Sequence, residues 1–522
     1  MTHSPGLLPR ISDYVHWWAE KFPEREACVV SDVRWSYREL SERVKALAGA
    51  LAGAGVRAGD RVATLLTPHP EYLVAFLATA SIGGIWVGLN PKYRRSELEH
   101  VVRDSQPRVV LARTRLDGRD YREDLEALRA AATTITQLVT YDQCDLPETV
   151  TFEAFVAGAS TTESVVSDRR PEEREPCLLV YTSGSTGVPK GALIHHTAIS
   201  LFSLEQNRIW PIQDLRVLNY FPINHIGCVI DISMPCIVAG GAIVFLEQFE
   251  PELSLALMER EKITLWGGVP SVFQLQLAVP NLERFDLSHV ELIVWEGAGM
   301  PEDLVRSLLA FERPLATNYS MTEATGIAVL EPSRDLEVLS ASVGFPFPGC
   351  DIRIMKADGT EAGPGESGEV WVRSPYLFVG YWKNASATGD AMTSDGFFRT
   401  GDVAEFRPDG RMRIVGRIKE MFKSGGYNVY PREVEAVIES HPAVAQAAVV
   451  GVSDPLWQEV GVAYIAVKGP VETDELMTWC KERLANYKVP KRIVIEADLP
   501  LLPIGKVDRA ALKRRGVEQA LT

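Results

Sequence analysis

The hydrophobic and polar positions of the first hundred residues alternate between helical and strand spacing. Ser36 and Glu39 have the spacing of a capping box, and Leu40, Val44 and Leu47 then recur on one helical face. The runs RVATLL, IWVGL and RVVLA are short and apolar, as buried strands are, whereas PEYLVAFLATA has the length of a helix. Strands that alternate with helices predict a parallel sheet with helices on its faces.

The pattern changes twice further along the chain. A second helix–strand alternation covers about residues 200–330, and residues 343–417 are short strands separated by ADG, SDG and PDG turns. From residue 418 the spacing restarts, with helical YPREVEAVIESH and DELMTWCKERLA and strand-like AVAQAAVVGV and GVAYIAVK. We therefore predict an α/β fold. A large N-terminal domain (1–417) has two helix-flanked sheets plus a small β-rich subdomain, and a small α+β C-terminal domain (418–522) follows.

Composition narrows the class of protein. The chain is 46 % apolar with a formal charge of −15, which argues against nucleic acid as a partner because a phosphate backbone attracts a basic face. The N-terminus has no signal-peptide pattern, and no run reaches the roughly 18 apolar residues of a membrane span. The seven cysteines are scattered without a CxxC pair, which is typical of a reduced protein. We expect a cytoplasmic protein with no membrane span.

The segment YTSGSTGVPKGALIHH (181–196) joins a predicted strand to a loop rich in Gly, Ser and Thr. Glycines let the backbone approach a ligand, successive N–H groups form an anion-binding nest, and a lysine adds a positive charge. This predicts a polyphosphate site, with a flexible surface loop as the alternative. Lys190 lies between Pro189 and Gly191, so the Walker pattern fails, and GAGMPE (297–302) lacks the third Rossmann glycine. The predicted phosphate-binding residues are Thr182, Ser183, Gly184, Ser185, Thr186, Gly187 and Lys190.

This loop resembles the signature of the adenylate-forming superfamily, which includes acyl-CoA synthetases, peptide-synthetase adenylation domains and luciferases. NYSMTE (318–323), FFRTGD (397–402), GRIKEMFKSGGYNVYPREVE (416–435) and PIGKVDR (503–509) resemble the family's later motifs in order. The resemblance implies a two-step reaction with ATP, Mg²⁺ and coenzyme A. A carboxylic acid becomes an acyl-adenylate with release of pyrophosphate, and a thiol then displaces AMP.

The resemblance also implies roles for individual residues. Tyr319 would stack on adenine, Asp402 would bind the ribose hydroxyls, and Lys506 would lie between the carboxylate and the α-phosphate. The implied catalytic residues are Lys506, Thr322, Glu323 and His225, with Glu323 and Thr186 as Mg²⁺ ligands. The implied ATP contacts outside the loop are Gly297, Ala298, Gly299, Asn318, Tyr319, Ser320, Thr322, Asp402, Arg417 and Lys506. The alternatives are a structural salt bridge for Arg417, a surface carboxylate for Glu323 and a solvated tail position for Lys506.

A second set of implied residues serves coenzyme A. The family's small C-terminal domain is mobile and turns between the half-reactions about a hinge, here Lys419. The turn would remove Lys506 from the site and bring in KSGGYN, so that Lys423, Ser424, Gly425 and Gly426 contact the pantetheine arm. An ordinary hairpin turn is the alternative for this segment.

The acyl pocket is implied by YFPINHIGCVIDISMPCIV, with His225, Ile226, Gly227 and Gly299 as its residues. A core histidine is the alternative for His225. We interpret Asp231 as structural, because it comes later than the ammonium-binding Asp of amino-acid-activating relatives. The neighbouring segments are mostly apolar, which favours a hydrophobic acid that is medium- or long-chain, alicyclic or aryl.

Three functions compete at this point. An acid–CoA ligase is the first hypothesis, a stand-alone enzyme that loads a carrier protein is the second, and a non-catalytic nucleotide-binding protein is the third. The spacing from Pro500 to Gly505 and Lys506 resembles the P-x-x-x-x-G-K sequence of acetylated bacterial acyl-CoA synthetases, so a protein acetyltransferase is a further hypothetical partner. On the alternative interpretation this spacing is an incidental feature of the family's loop. A homodimer is a further hypothesis about the oligomeric state.

Overall fold

The computed structural model describes residues 5–158, 171–182, 189–424, 427–502 and 506–520. The strands are β1 (Glu26–Val30), β2 (Val33–Ser36), β3 (Arg61–Leu65), β4 (Ile85–Leu89), β5 (Val109–Ala112), β6 (Arg115–Leu116), β7 (Arg119–Asp120), β8 (Gln137–Thr140), β9 (Thr149–Thr151), β10 (Pro176–Thr182), β11 (Lys190–His195), β12 (Arg216–Asn219), β13 (Ala242–Phe245), β14 (Leu265–Gly268), β15 (Leu292–Trp295), β16 (Leu315–Tyr319), β17 (Ala328–Val329), β18 (Phe345–Pro346), β19 (Asp351–Met355), β20 (Gly368–Arg373), β21 (Gly380–Tyr381), β22 (Phe398–Phe406), β23 (Met412–Arg417), β24 (Phe422–Ser424), β25 (Tyr427–Val429), β26 (Val444–Asp454), β27 (Gln458–Val467) and β28 (Arg492–Glu496).

The α-helices of the same residues alternate with these strands in the first two thirds of the chain. They are α1 (Asp13–Lys21), α2 (Tyr37–Gly53), α3 (Pro70–Ser81), α4 (Arg95–Ser105), α5 (Arg122–Ala131), α6 (Phe152–Ala157), α7 (His196–Ile209), α8 (Met234–Ala239), α9 (Pro251–Arg260), α10 (Pro270–Leu277), α11 (Glu302–Leu309), α12 (Leu336–Ala341), α13 (Ala385–Ala391), α14 (Pro431–Glu439), α15 (Thr473–Arg483) and α16 (Arg509–Ala520). A π-helix (Gly227–Ser233) precedes α8, and a 3₁₀ turn (Leu282–Arg284) follows α10.

Two large sheets form the first part of the chain. One has nine strands in the order β18-β17-β16-β15-β14-β12-β13-β1-β2, and the other has eight in the order β21-β11-β10-β4-β3-β5-β8-β9. The strands β12 to β16 pair in parallel, as do β3, β4, β5 and β8. The predicted parallel sheets with covering helices are therefore confirmed.

Helix α3 explains how the two sheets share one core. It contacts β3, β4 and β10 of the eight-stranded sheet and β1 of the nine-stranded sheet. All of its side chains except Glu71 are buried. A helix that is apolar on every side is expected where both faces are covered. The earlier helix α2 begins as its sequence predicts, because Ser36 Oγ accepts the N–H of Glu39 while Glu39 accepts the N–H of Ser36 at 2.7 Å.

The rest of the fold is built from smaller antiparallel units. Strands β19, β20, β22 and β23 form a four-stranded sheet, and β24 to β28 form a five-stranded sheet with α14, α15 and α16 close to it. The predicted fold class, two helix-flanked sheets with a β-rich subdomain and a small α+β unit, is confirmed. The boundary at 417/418 and the mobility of the small unit stay predictions.

The structure also shows the properties of the helices with respect to a membrane, the state of the cysteines and the grouping of potential metal ligands. No helix in the described part of the chain is long and apolar enough to cross a membrane. All seven cysteines are free thiols, and five of them are buried. Across the described residues no group of three or more His, Cys, Asp or Glu side chains is placed to hold a metal ion.

Candidate active site

A cleft of about 2270 Å³ lies where the parallel strands of the nine-stranded sheet end. The carboxyl ends of β12, β14, β15 and β16 lead into the segments that line it, as expected for ligand sites on open α/β sheets. The opposite wall includes residues 417–420 and Lys506 from the last part of the chain. Two regions far apart in sequence therefore enclose one cavity.

The loop after β15 forms a side-chain-poor wall of this cleft. Gly297, Ala298 and Gly299 are exposed, and Gly297 has a φ of +79°, a conformation that a glycine adopts without strain. A Cβ on Gly297 would lie 3.6 Å from Cε of Lys506. A Cβ on Gly299 would lie 3.2 Å from Nε of Arg432. Each glycine thus leaves room for a side chain of the C-terminal unit.

Asp402 joins an aromatic ring to a guanidinium at the same cleft. Tyr319 Oη donates to Asp402 Oδ2 at 2.6 Å, and Arg417 Nε lies 2.8 Å from Asp402 Oδ1. Burial and the Asp402 carboxylate raise the pKa of the Tyr319 phenol, so Tyr319 stays a donor. Because a carboxylate has about four acceptor positions, Asp402 keeps acceptor capacity for two ribose hydroxyls. Tyr319 and Arg417, both predicted to contact the nucleotide, are therefore joined through Asp402, and the salt bridge that was the alternative for Arg417 is present.

Glu323 has a partner that the sequence did not indicate. Glu323 and Thr322 are buried beside the cleft, and Tyr381 Oη donates to Glu323 Oε1 at 2.9 Å. The ammonium of Lys190 lies 5.3 Å from the centroid of the Tyr381 ring. Tyr381 therefore holds the carboxylate toward the cleft, where one acidic ligand suits a Mg²⁺ ion that keeps phosphate and water ligands.

The predicted phosphate loop is described only at its two ends. Thr182 and Lys190 pair across β10 and β11 and both line the cleft. Ser183, Gly184, Ser185, Thr186 and Gly187 lie outside the described residues. The two flanking strands nevertheless fix where the loop leaves and re-enters the sheet.

Lys506 faces the cleft from the C-terminal unit. Burial, with a smaller contribution from the Arg417 charge, lowers the pKa of the Lys506 ammonium. Asp402, Glu420 and Asp231 act in the opposite direction, which places Lys506 within electrostatic reach of Asp402 and Asp231. Among the described residues no carboxylate accepts a hydrogen bond from Lys506, so its ammonium is suited to meet a ligand's negative charge.

His225 lines the cleft in the segment predicted to form the acyl pocket. Its Nδ1 accepts the N–H of Gly227 at 3.0 Å, and the ring lines the cleft. Burial first, and the Lys506 charge second, lower the pKa of His225 to about 4. The ring is therefore uncharged at neutral pH, and it acts as a wall and not as a cation. Ile226 and Gly227 line the same cleft.

Asp231, which we interpret as structural from its spacing in the sequence, lies at the cleft. It lies on the π-helix, is 4 % exposed, and lines the cleft, where it hydrogen-bonds to Glu296. Burial raises the pKa of both carboxyl groups, and Asp231 further raises that of Glu296. This wall of the cleft therefore contains a hydrogen-bonded carboxyl pair that neither segment indicates alone.

The described residues of the segment predicted for coenzyme A do not line the cleft. Lys423 and Ser424 lie on β24, which pairs with β25 and, through Ser424, with Gln458 of β27. Neither residue lines the cleft, whereas the predicted hinge Lys419 does. Gly425 and Gly426 lie outside the described residues. The arrangement therefore presents Lys506 to the site and leaves Lys423 and Ser424 outside it.

Comparison with known proteins identifies the family. A model described as AMP-binding enzyme matches residues 15–382, and one described as AMP-binding enzyme C-terminal domain matches residues 433–506. The chain belongs to the AMP-binding enzyme family. Its relatives include a feruloyl-CoA synthase of Amycolatopsis, 34 % identical over 92 % of this chain and 94 % of that protein, and an indoleacetate–CoA ligase of Aromatoleum aromaticum, 32 % identical over 94 % and 93 %.

The structure can be compared with two solved structures of one relative, MatB from Rhodopseudomonas palustris. ATP-bound MatB from Rhodopseudomonas palustris is 28 % identical, covers 97 % of this chain and 99 % of its own, and superposes with a TM-score of 0.86. The apo form of MatB superposes with a TM-score of 0.79. The structure therefore resembles the ATP-bound form of this relative more closely than its apo form.

Proposed function

We propose that this AMP-binding enzyme joins coenzyme A to a hydrophobic aryl, alicyclic or fatty acid in an ATP-dependent, AMP-forming reaction. The observation that carries the proposal is the meeting of Lys506 with Gly297 in the cleft that Tyr319, Asp402 and Glu323 also line. The names of the CoA-ligase relatives support the acid–thiol chemistry. The apolar segments of the cleft support a hydrophobic acid.

The residues fit the two charges that the first half-reaction brings together. ATP supplies an α-phosphate that the substrate carboxylate attacks, with pyrophosphate leaving. Asp402 accepts from the ribose hydroxyls, and Tyr319 covers the base. Lys506 holds a positive charge where the carboxylate and the α-phosphate approach each other, which lowers the free energy of the transition state. Glu323, held by Tyr381, would be the protein ligand of Mg²⁺, with Thr186 as a second predicted ligand.

The second half-reaction requires a different arrangement of the C-terminal unit. The thiol of coenzyme A attacks the acyl carbon, the bond to the phosphate oxygen breaks, and AMP leaves. Rotation about Lys419 would withdraw Lys506 and bring the β24–β25 hairpin to the cleft. Lys468 Nζ lies 3.5 Å from Asp303 Oδ2, and both side chains are exposed, so this ion pair between the units is a weak barrier to the rotation.

Product analysis tests the proposed function. We expect AMP and pyrophosphate in equal amounts when the enzyme receives ATP, Mg²⁺, coenzyme A and a panel of aryl, alicyclic and fatty acids, with no AMP when the acid is omitted. Stoichiometric ADP would contradict the proposal. Accumulation of acyl-adenylate without consumption of coenzyme A would favour the enzyme that loads a carrier protein.

Modification of Lys506 is a further part of the proposal. Acetylation removes the ammonium charge on which the first half-reaction depends, so a protein acetyltransferase would silence the enzyme at that step. Mass spectrometry after incubation with acetyl-CoA and a bacterial acetyltransferase checks this. Acetylation of Lys506 without loss of pyrophosphate release would contradict it. A cytoplasmic location and a homodimer stay predictions.

Tyr381→Phe tests the role of the residue that holds Glu323. We expect the Mg²⁺ concentration needed for half-maximal rate to rise about 10-fold, because an oriented ligand loses its hydrogen-bond partner. Tyr376→Phe is the matched control, since Tyr376 Oη donates to the Pro348 carbonyl and does not line the cleft. Equal Mg²⁺ titrations of the two variants would show that Tyr381 does not position Glu323.

A further inference from the structure

Four buried oxygen atoms of the cleft face no donor in the part of the chain that the structure describes, and one of them is Oδ1 of Asn224, a residue that is 8 % exposed. The other three are Oδ1 of Asp231, Oε1 of Gln206 and Oδ1 of Asn318. Each of these three residues is 4 % exposed and lines the cleft. Buried acceptors are normally hydrogen-bonded, so a group of them in one cavity requires an explanation.

The orientations of the two amides follow from the bonds on their other side. Gln206 Nε2 donates to the backbone carbonyl of Asp231 at 3.2 Å, and Asn318 Nδ2 donates to Glu296 Oε1 at 2.9 Å. Turning either amide over would place its oxygen against another oxygen atom and lose a hydrogen bond. Both amides therefore keep their acceptor ends free.

Glu296 links two of these residues, because it hydrogen-bonds to Asp231 and accepts a hydrogen bond from Asn318 Nδ2. It connects the π-helix to the loop after β15 and to the end of β16. Trp210, Ile232 and Leu265 line the cavity beside Gln206 and Asp231. The acceptors are thus fixed in an otherwise apolar wall, where a hydrogen bond from a ligand is strong because water does not compete.

We propose that Asp231, Gln206 and Asn318 form a specificity site that accepts hydrogen bonds from a hydroxyl or N–H group on the acid. The enzyme then selects apolar acids that carry such a donor over acids of the same shape without one. This inference rests on the proposed function, since the ligand is the acid that the enzyme activates. A second carboxylate on the acid is disfavoured, because it would face acceptors and the Asp231–Glu296 pair.

The selection has a physical basis in the cost of unmatched polar groups. A donor on the acid satisfies an oxygen that is otherwise buried without a partner. An acid with a methyl group in that position leaves the oxygen unsatisfied and removes any water from it. A site that binds a substrate hydroxyl or N–H in this way strongly rejects an analogue that lacks the group. An apolar pocket rejects an analogue that differs by one methylene group much less strongly.

Matched pairs of acids test the specificity site. The probes are 3-(4-hydroxyphenyl)propenoate against 3-(4-methylphenyl)propenoate, and indole-3-acetate against 1-naphthylacetate. We expect kcat/KM for pyrophosphate release to favour the donor-bearing acid at least about 10-fold in one or both pairs. Binding is followed independently by the rise in unfolding temperature that each acid causes in the presence of ATP.

Two variants assign the selectivity to named residues. Asp231→Leu and Gln206→Leu each remove an acceptor, and we expect both to lower kcat/KM for the donor-bearing acid and to bring the ratio within a pair close to one. Gln206→Leu is an independent test if Asp231→Leu fails to fold. Asp32→Asn, at an exposed turn, is the control.

The outcomes separate this inference from the proposed function. Pyrophosphate release with equal kcat/KM in both pairs, or ratios that survive both variants, overturns the specificity site and leaves the function standing. Selective thermal stabilisation by donor-bearing acids that both variants abolish, without pyrophosphate release from any acid, supports the site and overturns the function.

Discussion

Lys506→Ala is expected to lower the rate of pyrophosphate release about 10²- to 10³-fold, which is the usual cost of removing one preorganised group from a transition-state charge. The variant should still convert preformed acyl-adenylate and coenzyme A to the thioester at close to the normal rate. The reason is that the ammonium beside Gly297 belongs to the arrangement that forms the adenylate, whereas the thiol step uses the other arrangement. Separate assays of the two half-reactions measure this.

Lys481→Ala is the control for this experiment. Lys481 is exposed on α15 of the same unit and does not line the cleft, so its removal should leave both half-reactions unchanged. Equal loss of both half-reactions in Lys506→Ala would contradict the rotation of the C-terminal unit. Protein acetylated at Lys506 should behave as Lys506→Ala does, because both changes remove the same charge.

Asp402→Ala is expected to reduce kcat/KM for ATP about 10- to 100-fold, the range for losing hydrogen bonds to a buried charged group. The change removes the acceptors for ribose and also frees Tyr319 Oη and Arg417 Nε, which both contact Asp402. Unlike Lys506→Ala, it should impair both half-reactions, since the adenylate carries the same ribose. Initial rates at varied ATP and at varied preformed adenylate measure the two effects.

Asp409→Ala provides the comparison for Asp402→Ala. Asp409 is an exposed carboxylate of the same β-rich subdomain, and its partner is Arg411 at 2.9 Å. It should leave the ATP dependence unchanged. An Asp402→Ala enzyme with a normal KM for ATP and a normal rate with preformed adenylate would show that Asp402 does not bind ribose.

Sequence patterns predicted the fold well because its elements follow from local spacing. The apolar runs of β3 to β5 and the capping box of α2 depend only on neighbours in the chain. Motifs, which keep their spacing wherever the fold recurs, implied that Tyr319, Asp402 and Arg417 serve one nucleotide site, but the Tyr319–Asp402 hydrogen bond was not predicted. What could be predicted was therefore the part of the molecule in which local sequence decides geometry.

The acyl wall could not be predicted in the same way. Asp231 lies on a π-helix, whose i to i+5 hydrogen bonds change which side chains share a face, so an α-helical count misplaces it. Its partner Glu296 comes from the distant loop after β15, and Tyr381 of one large sheet reaches Glu323, which follows a strand of the other. Such pairs depend on packing between distant segments, and a single sequence carries no signal for them.

Gly299 has a consequence for how this enzyme can change. Its predicted place is in the acyl wall, and Arg432 of the C-terminal unit occupies the space that a side chain would need, 3.2 Å from a Cβ. A substitution that reshapes the pocket at this position would therefore also press on Arg432 of the C-terminal unit. If that unit rotates as proposed, selection for a new acid through residue 299 would alter the rotation for every acid.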